Sequence, residues 1–174
     1  MKEMNILGAN RFEAYSKTRA GSRAVILRGK EILLSHETNT DVWMIPGGGQ
    51  EEDETPEACC VREVEEETGY LVRPVRHFLT MNEYYEEYRY ITHYYACEVT
   101  GRGHRHLTEA EIRRGLTPVW LPLEEAVTLF SRHQDYAAAF EEKRGIYLRE
   151  YTAICEYLEE CPPVRDAMPS SFKT

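Results

Sequence analysis

The sequence lacks any apolar run approaching the roughly 18 residues that a membrane-crossing helix needs, so a membrane partner is not expected. It also lacks clustered Lys and Arg. With 21 basic against 30 acidic residues, the formal net charge is -9, which argues against a phosphate-backbone binder and a nucleic-acid partner. An anionic ligand would therefore need a divalent cation as mediator. The five cysteines, Cys59, Cys60, Cys97, Cys155 and Cys161, form no Cys-x-x-Cys pair and have no His at finger spacing. Neither a zinc site nor a disulfide framework is signalled, and free, mostly buried thiols are expected. The first 20 residues mix charged and polar residues throughout and so lack the apolar core of a signal peptide. A cytoplasmic protein is the expectation. Internal repeats and low-complexity segments are absent as well.

At 174 residues the chain is long enough to bury roughly 70% of its unfolded surface without staples. A single domain is expected over residues 1–160, with its core at about 20–134, C-terminal helices at about 135–160 and a flexible Pro- and Ser-containing tail at 161–174. Residues 22–28 and 31–36 read as two strands around a Gly29-Lys30 turn. A brief strand over 42–45 gives way at Pro46 to a loop carrying Gly47, Gly48 and Gly49. Strands are expected at 71–81, 88–99 and 116–121, the first two separated by the acidic connection NEYYEEY. Helical periodicity covers 123–130 and about 136–158, with Gly145 placed to kink or split the second helix. This order predicts an α/β layered domain with a mixed sheet.

The clearest helix is predicted over 56–68. Thr55 suits the N-cap, Pro56 the first turn, Glu57 the positive end of the dipole and Gly69 the C-terminal stop. Glu63, Glu66 and Glu67 stand at i, i+3 and i+4 and share one face, opposite Val61, Val64 and Thr68. Two carboxylates about 6 Å apart repel by roughly 3 kcal/mol at an effective dielectric near 20. Either this face is simply solvated or a cation sits there. Hard carboxylate oxygens select Mg²⁺, Mn²⁺ or Ca²⁺, and Mg²⁺ commonly shares phosphate oxygens with a substrate.

Residues 48–70, GGQEEDETPEACCVREVEEETGY, decide between these readings. They match G-x5-E-x7-R-E-U-x-E-E-x-G-U, with U a bulky apolar residue, at Gly48, Glu54, Arg62, Glu63, Glu66, Glu67 and Gly69, with Val64 and Tyr70 at the U positions. In this the chain resembles the Nudix hydrolases. Tyr70 is less usual there than Ile, Leu or Val, and Asp53 replaces a glycine often found before the first glutamate; neither change removes a metal ligand. The resemblance implies a Nudix-type α/β/α sandwich with a central mixed β-sheet and a C-terminal helical extension. It also implies a Mg²⁺-dependent hydrolase, with Mn²⁺ as substitute, cleaving the phosphoanhydride bond of a nucleoside diphosphate linked to another moiety: ADP-ribose, a nucleotide sugar, a dinucleoside polyphosphate or a modified dNTP. Glu63, Glu66, Glu67 and the Gly48 carbonyl would hold metal, Arg62 would orient a carboxylate, with Glu54 as its partner, and Glu67 could act as general base. The homodimers common in the family would use the terminal helix as a surface.

Other residues have competing readings. Glu109 and Glu111 are alternative bases supplied from a loop. Tyr88 stands 18 positions past Tyr70, where the family's diadenosine polyphosphate hydrolases carry a tyrosine, yet alternating tyrosines also pack sheets. Arg23 could reach substrate or form a structural salt bridge. The basic turn 101–106 could touch phosphate or be solvated, and Trp43 and Trp120 suit a core or a pocket wall. Two rivals to the hydrolase are an isopentenyl-diphosphate isomerase-like enzyme and a non-catalytic Nudix-fold nucleotide sensor. The first lacks a distinguishable Cys/Glu pair here, and the second usually loses glutamates that this sequence retains.

Overall fold

The computed structural model describes residues 1–137 and 139–160; the tail expected at 161–174, with Cys161, lies outside the described residues. Eight strands, β1 (Lys2–Leu7), β2 (Lys17–Arg28), β3 (Glu31–Glu37), β4 (Val42–Met44), β5 (Gly47–Gly49), β6 (Tyr70–Tyr85), β7 (Tyr88–Arg102) and β8 (Leu116–Pro122), form one mixed sheet. The helices are α1 (Pro56–Thr68), α2 (Glu109–Arg114), α3 (Leu123–Ser131) and α4 (Glu141–Glu160), with a 3₁₀ turn at Arg132–Tyr136.

Strand order is β1-β6-β7-β2-β3-β4, with β5 on β2 and β8 on β3. The β1–β6 and β2–β7 pairs are parallel and the rest antiparallel. Side-chain alternation along β2 divides the core into two layers. Ala24 and Ile26 pack with Val72 and Tyr95 against Cys60 and Val64 of α1, while Val25 joins Phe78, Phe130, Tyr147 and Ile154 beneath α3 and α4. The α/β/α sandwich follows from that division. Each fully buried aliphatic or aromatic side chain contributes about 1.5–3 kcal/mol to holding the layers together.

Several sequence expectations need correction. The Gly47–Gly49 run is a short strand and not an open loop, because its backbone pairs with Gly21, Ser22 and Arg23 of β2. Most of NEYYEEY is strand: β6 and β7 continue to a turn at Glu86-Glu87, held by cross-strand partners such as Glu83 with Tyr90. Gly145 neither kinks nor splits α4, which runs through it as one helix packed on the sheet and on α3. Glu109 and Glu111 belong to a capped helical turn instead of a loop; Thr108 and Glu111 satisfy each other's backbone N–H groups. Strand β1 had no counterpart in the sequence reading. Among the described residues, no helix is long and apolar enough to cross a membrane.

Candidate active site

The site is built on α1, whose ends are fixed as its sequence dictates. Thr55 accepts the Ala58 N–H at 3.2 Å, and Gly69, at φ 73°, donates its N–H to the Glu65 carbonyl. Pairing of β5 with β2 brings Gly48 against the helix so closely that a Cβ there would overlap the Glu63 carboxylate. Any side chain at 48 would have to displace the Glu63 carboxylate from its place beside Arg62.

Arg62 is the hub of the exposed face. Its guanidinium donates from Nε and Nη2 to Glu54 at 2.8 and 2.9 Å, from Nη2 to the Gly49 carbonyl at 2.9 Å, and from Nη1 to Glu63 and Glu66 at 2.8 and 3.0 Å. This planar fork ties strand, loop and helix together. The guanidinium beside Glu54 holds that carboxyl down at about 2. Burial is the larger influence on Glu63, whose carboxyl is raised even though Arg62 opposes the shift; Glu111 is near enough to add to it.

Glu67 faces inward. Its carboxylate is buried, accepts the Ser35 hydroxyl at 2.7 Å and the Gly47 N–H at 3.2 Å, and is pushed up to about 7 by burial, with Arg23, Ser35 and Gly47 opposing. Thus Glu63 and Glu66 converge on one cationic atom, while Glu67 is directed into the sheet. Among the described residues, no three His, Cys, Asp or Glu side chains are gathered closely enough to hold a metal ion. The donors nevertheless fit a hard divalent cation in kind: two carboxylates already share one positive point beside the Gly48–Gly49 backbone.

A cavity of about 610 Å³ opens beside this loop, lined by Gly48, Gly49, Arg19, Arg23, Tyr90 and Arg149 among others. Arg23 lines the cavity, donates to the Ile45 carbonyl and lies 3.8 Å from Glu150. Tyr88 stacks on Tyr90 at 5.3 Å with Lys17 and Arg19 over its ring, leaving Tyr90 to line the cavity. Glu109 projects into solvent, 94% exposed beside Arg113, and Glu111 is engaged with Thr108. In the basic turn, Arg105 donates to the Glu67 carbonyl at 2.8 Å, so it caps the C-terminal end of α1. Trp43 stacks on His36 and packs against the core, and Trp120 donates to the Tyr70 hydroxyl at 2.7 Å.

Two site residues escaped the sequence reading. Ser35 left a signal, a small polar residue in an otherwise apolar strand. Arg149 left none, because one arginine on a charged helix gives no direction for its side chain.

Residues 17–142 match the NUDIX domain. The chain is 30% identical over 97 residues to the putative ADP-ribose pyrophosphatase YjhB of Bacillus subtilis, covering 52% of this chain and 47% of that protein. It is 30% identical over 112 residues to diphosphoinositol polyphosphate phosphohydrolase 3-alpha of Mus musculus, covering 64% and 66%. The match thus spans less than two-thirds of either relative's length. Among solved structures, a NUDIX hydrolase from Nitrosomonas europaea superposes with a TM-score of 0.56 at 20% identity, covering 79% of this chain and 90% of that one. An ADP-ribose pyrophosphatase from Streptococcus suis gives 0.51 at 18%, covering 83% and 94%. These two share the fold. With the domain match over most of the chain, the complete signature on α1 and the α/β/α sandwich around it, the chain belongs to the NUDIX family.

Proposed function

We propose that this chain is a Mg²⁺-dependent hydrolase, with Mn²⁺ as substitute, that cleaves the phosphoanhydride bond of a nucleoside diphosphate linked to another moiety. The observation that carries the reading is the convergence of Glu63 and Glu66 on one cationic atom beside Gly48 and Gly49, two residues that also line an arginine-bearing cavity. The names of the Bacillus and mouse relatives point to different substrates, but both describe phosphoanhydride chemistry.

In this reading Glu63, Glu66, Glu67 and the Gly48 carbonyl hold the metal. The bound ion would neutralise charge developing on the phosphates and lower the pKa of a water molecule. Arg62, braced by Glu54, orients the carboxylates, and Arg23 and Arg149 receive phosphate oxygens by charge-assisted hydrogen bonds. Glu66 and Glu67 serve the attacking water.

The test is Mg²⁺-dependent release of phosphate-containing products from ADP-ribose, nucleotide sugars, dinucleoside polyphosphates and oxidised dNTPs. Glu66→Gln and Glu67→Gln should each reduce turnover by at least about 100-fold. Undiminished rates in both would remove the catalytic assignment. Binding without turnover in the wild type would instead favour the nucleotide sensor.

A further inference from the structure

The cavity beside Gly48 and Gly49 adjoins a second one, of about 390 Å³, between the sheet and the start of α4. Arg23, Tyr90 and Arg149 form their common wall. The charges change along this path. The first cavity is lined by Arg19, Arg23 and Arg149 and by no acidic residue; the second adds Glu83, Glu86, Glu141 and Glu142.

The arginines at the junction are paired, but the pairs are oriented. Arg149 reaches Glu150 at 2.7 Å and Glu83 at 3.5 Å, and Arg23 lies 3.8 Å from Glu150. Side-chain exposure is 14% for Arg23 and 12% for Arg149, against 0% for Glu150 and 3% for Glu83. The cationic members face the first cavity and Glu150 lies behind them. In the second cavity Glu141 is taken up by Arg144 and the Ala9 N–H, whereas Glu86 and Glu142 are exposed and enter no ion pair found among the described residues. The buried Tyr85 hydroxyl also lines this cavity, with Arg144 beside it. Its room is provided by Gly145, where a Cβ would come within 2.5 Å of it.

We infer that the two cavities take one substrate end to end, with its phosphates at Arg19, Arg23 and Arg149 and, against α4, an uncharged or cationic hydroxyl-bearing group that carries no further phosphate. This rests on the diphosphate-hydrolase reading and narrows its substrate. A second phosphate cluster beyond the scissile diphosphate would meet Glu86 and Glu142, and like charges brought together in a cleft are rejected more strongly than on an open surface. The polyphosphate in the mouse relative's name therefore does not transfer to this chain. A sugar or nucleoside does fit, since its hydroxyls can donate to Glu86 and Glu142 and pair with the Tyr85 hydroxyl.

The test separates binding from turnover. Calorimetric titration without added metal uses ADP-ribose and inositol hexakisphosphate as probes, alongside Mg²⁺-dependent hydrolysis of ADP-ribose and a diphosphoinositol pentakisphosphate. ADP-ribose should be preferred in both assays. The double variant Glu86→Lys/Glu142→Lys, at rim positions whose melting temperature reports the fold, should shift the affinity ratio towards the polyphosphate by about tenfold or more, and the corresponding Gln pair by less. Preference of the wild type for the polyphosphate, binding of neither probe, or equal shifts from the Lys and Gln pairs would overturn the inference. Failure to hydrolyse either compound would count against the hydrolase reading, while the binding ratio would still decide what the cavities accept.

Discussion

Ser35 donates its hydroxyl to the buried carboxylate of Glu67 at 2.7 Å, joining the last turn of α1 to the middle of β3. Both residues are almost inaccessible, at 1% and 5% exposure, so water cannot replace the bond if it is lost. The glutamate is thus fixed by a residue 32 positions away in sequence.

Ser35→Ala should cost about 1–3 kcal/mol, since it leaves a buried carboxylate short of a donor. Urea unfolding of the two proteins at neutral pH measures the difference. If Glu67 works as proposed, hydrolysis should fall as well, by more than the loss of folded protein explains. Equal stability and equal rates would show that the bond contributes nothing.

The Arg62–Glu54 fork should give stability a defined pH dependence. Glu54 is depressed from an ordinary 4.5 to about 2, so the unfolded chain takes up this proton first on acidification. Its contribution is fully present above pH 4.5 and is lost as pH falls towards 2. Melting temperatures of wild type and Glu54→Gln should therefore differ at neutral pH and converge towards pH 2.5 or below. A gap that persists unchanged in acid would place the stabilisation elsewhere.

The thiols beneath α1 should be inert in the folded protein. Burial pushes Cys59 up to about 11, and the adjacent Cys97 sulfur together with burial raises Cys60. Since the thiolate is the reactive form, iodoacetamide at pH 7.5 should leave the peptides carrying Cys59 and Cys60 largely unmodified until urea is added. Mass spectrometry would reveal early native labelling, the contrary result.

Phe130 is fully buried in the α3 layer, edge-on to Tyr147 of α4 with ring centroids 5.2 Å apart. Phe130→Ala should remove about 3–5 kcal/mol of stability through lost burial and the resulting cavity. Because this layer carries Arg149, the variant should also weaken ADP-ribose binding under conditions where it remains folded. A loss below about 1 kcal/mol would mean that the site collapses with little penalty.

The sequence by itself determined α1 and its carboxylate face. Thr55, Pro56 and Gly69 act within a turn of the helix ends, and Glu63, Glu66 and Glu67 share a face through helical spacing alone. The Gly29-Lys30 hairpin was legible for the same reason, as was the side of α1 carrying Val61, Val64 and Thr68, away from the glutamates. Tertiary structure decided what no local pattern records: that Gly47–Gly49 pairs with β2, that β1 joins β6, that Glu67 turns to Ser35 while Glu63 and Glu66 turn to Arg62, and that Arg149 enters the cavity from α4. Capping and periodicity depend on neighbours a few residues away. Strand pairing and side-chain direction instead depend on which distant surfaces must be buried together, and that choice exists only once the layers have packed.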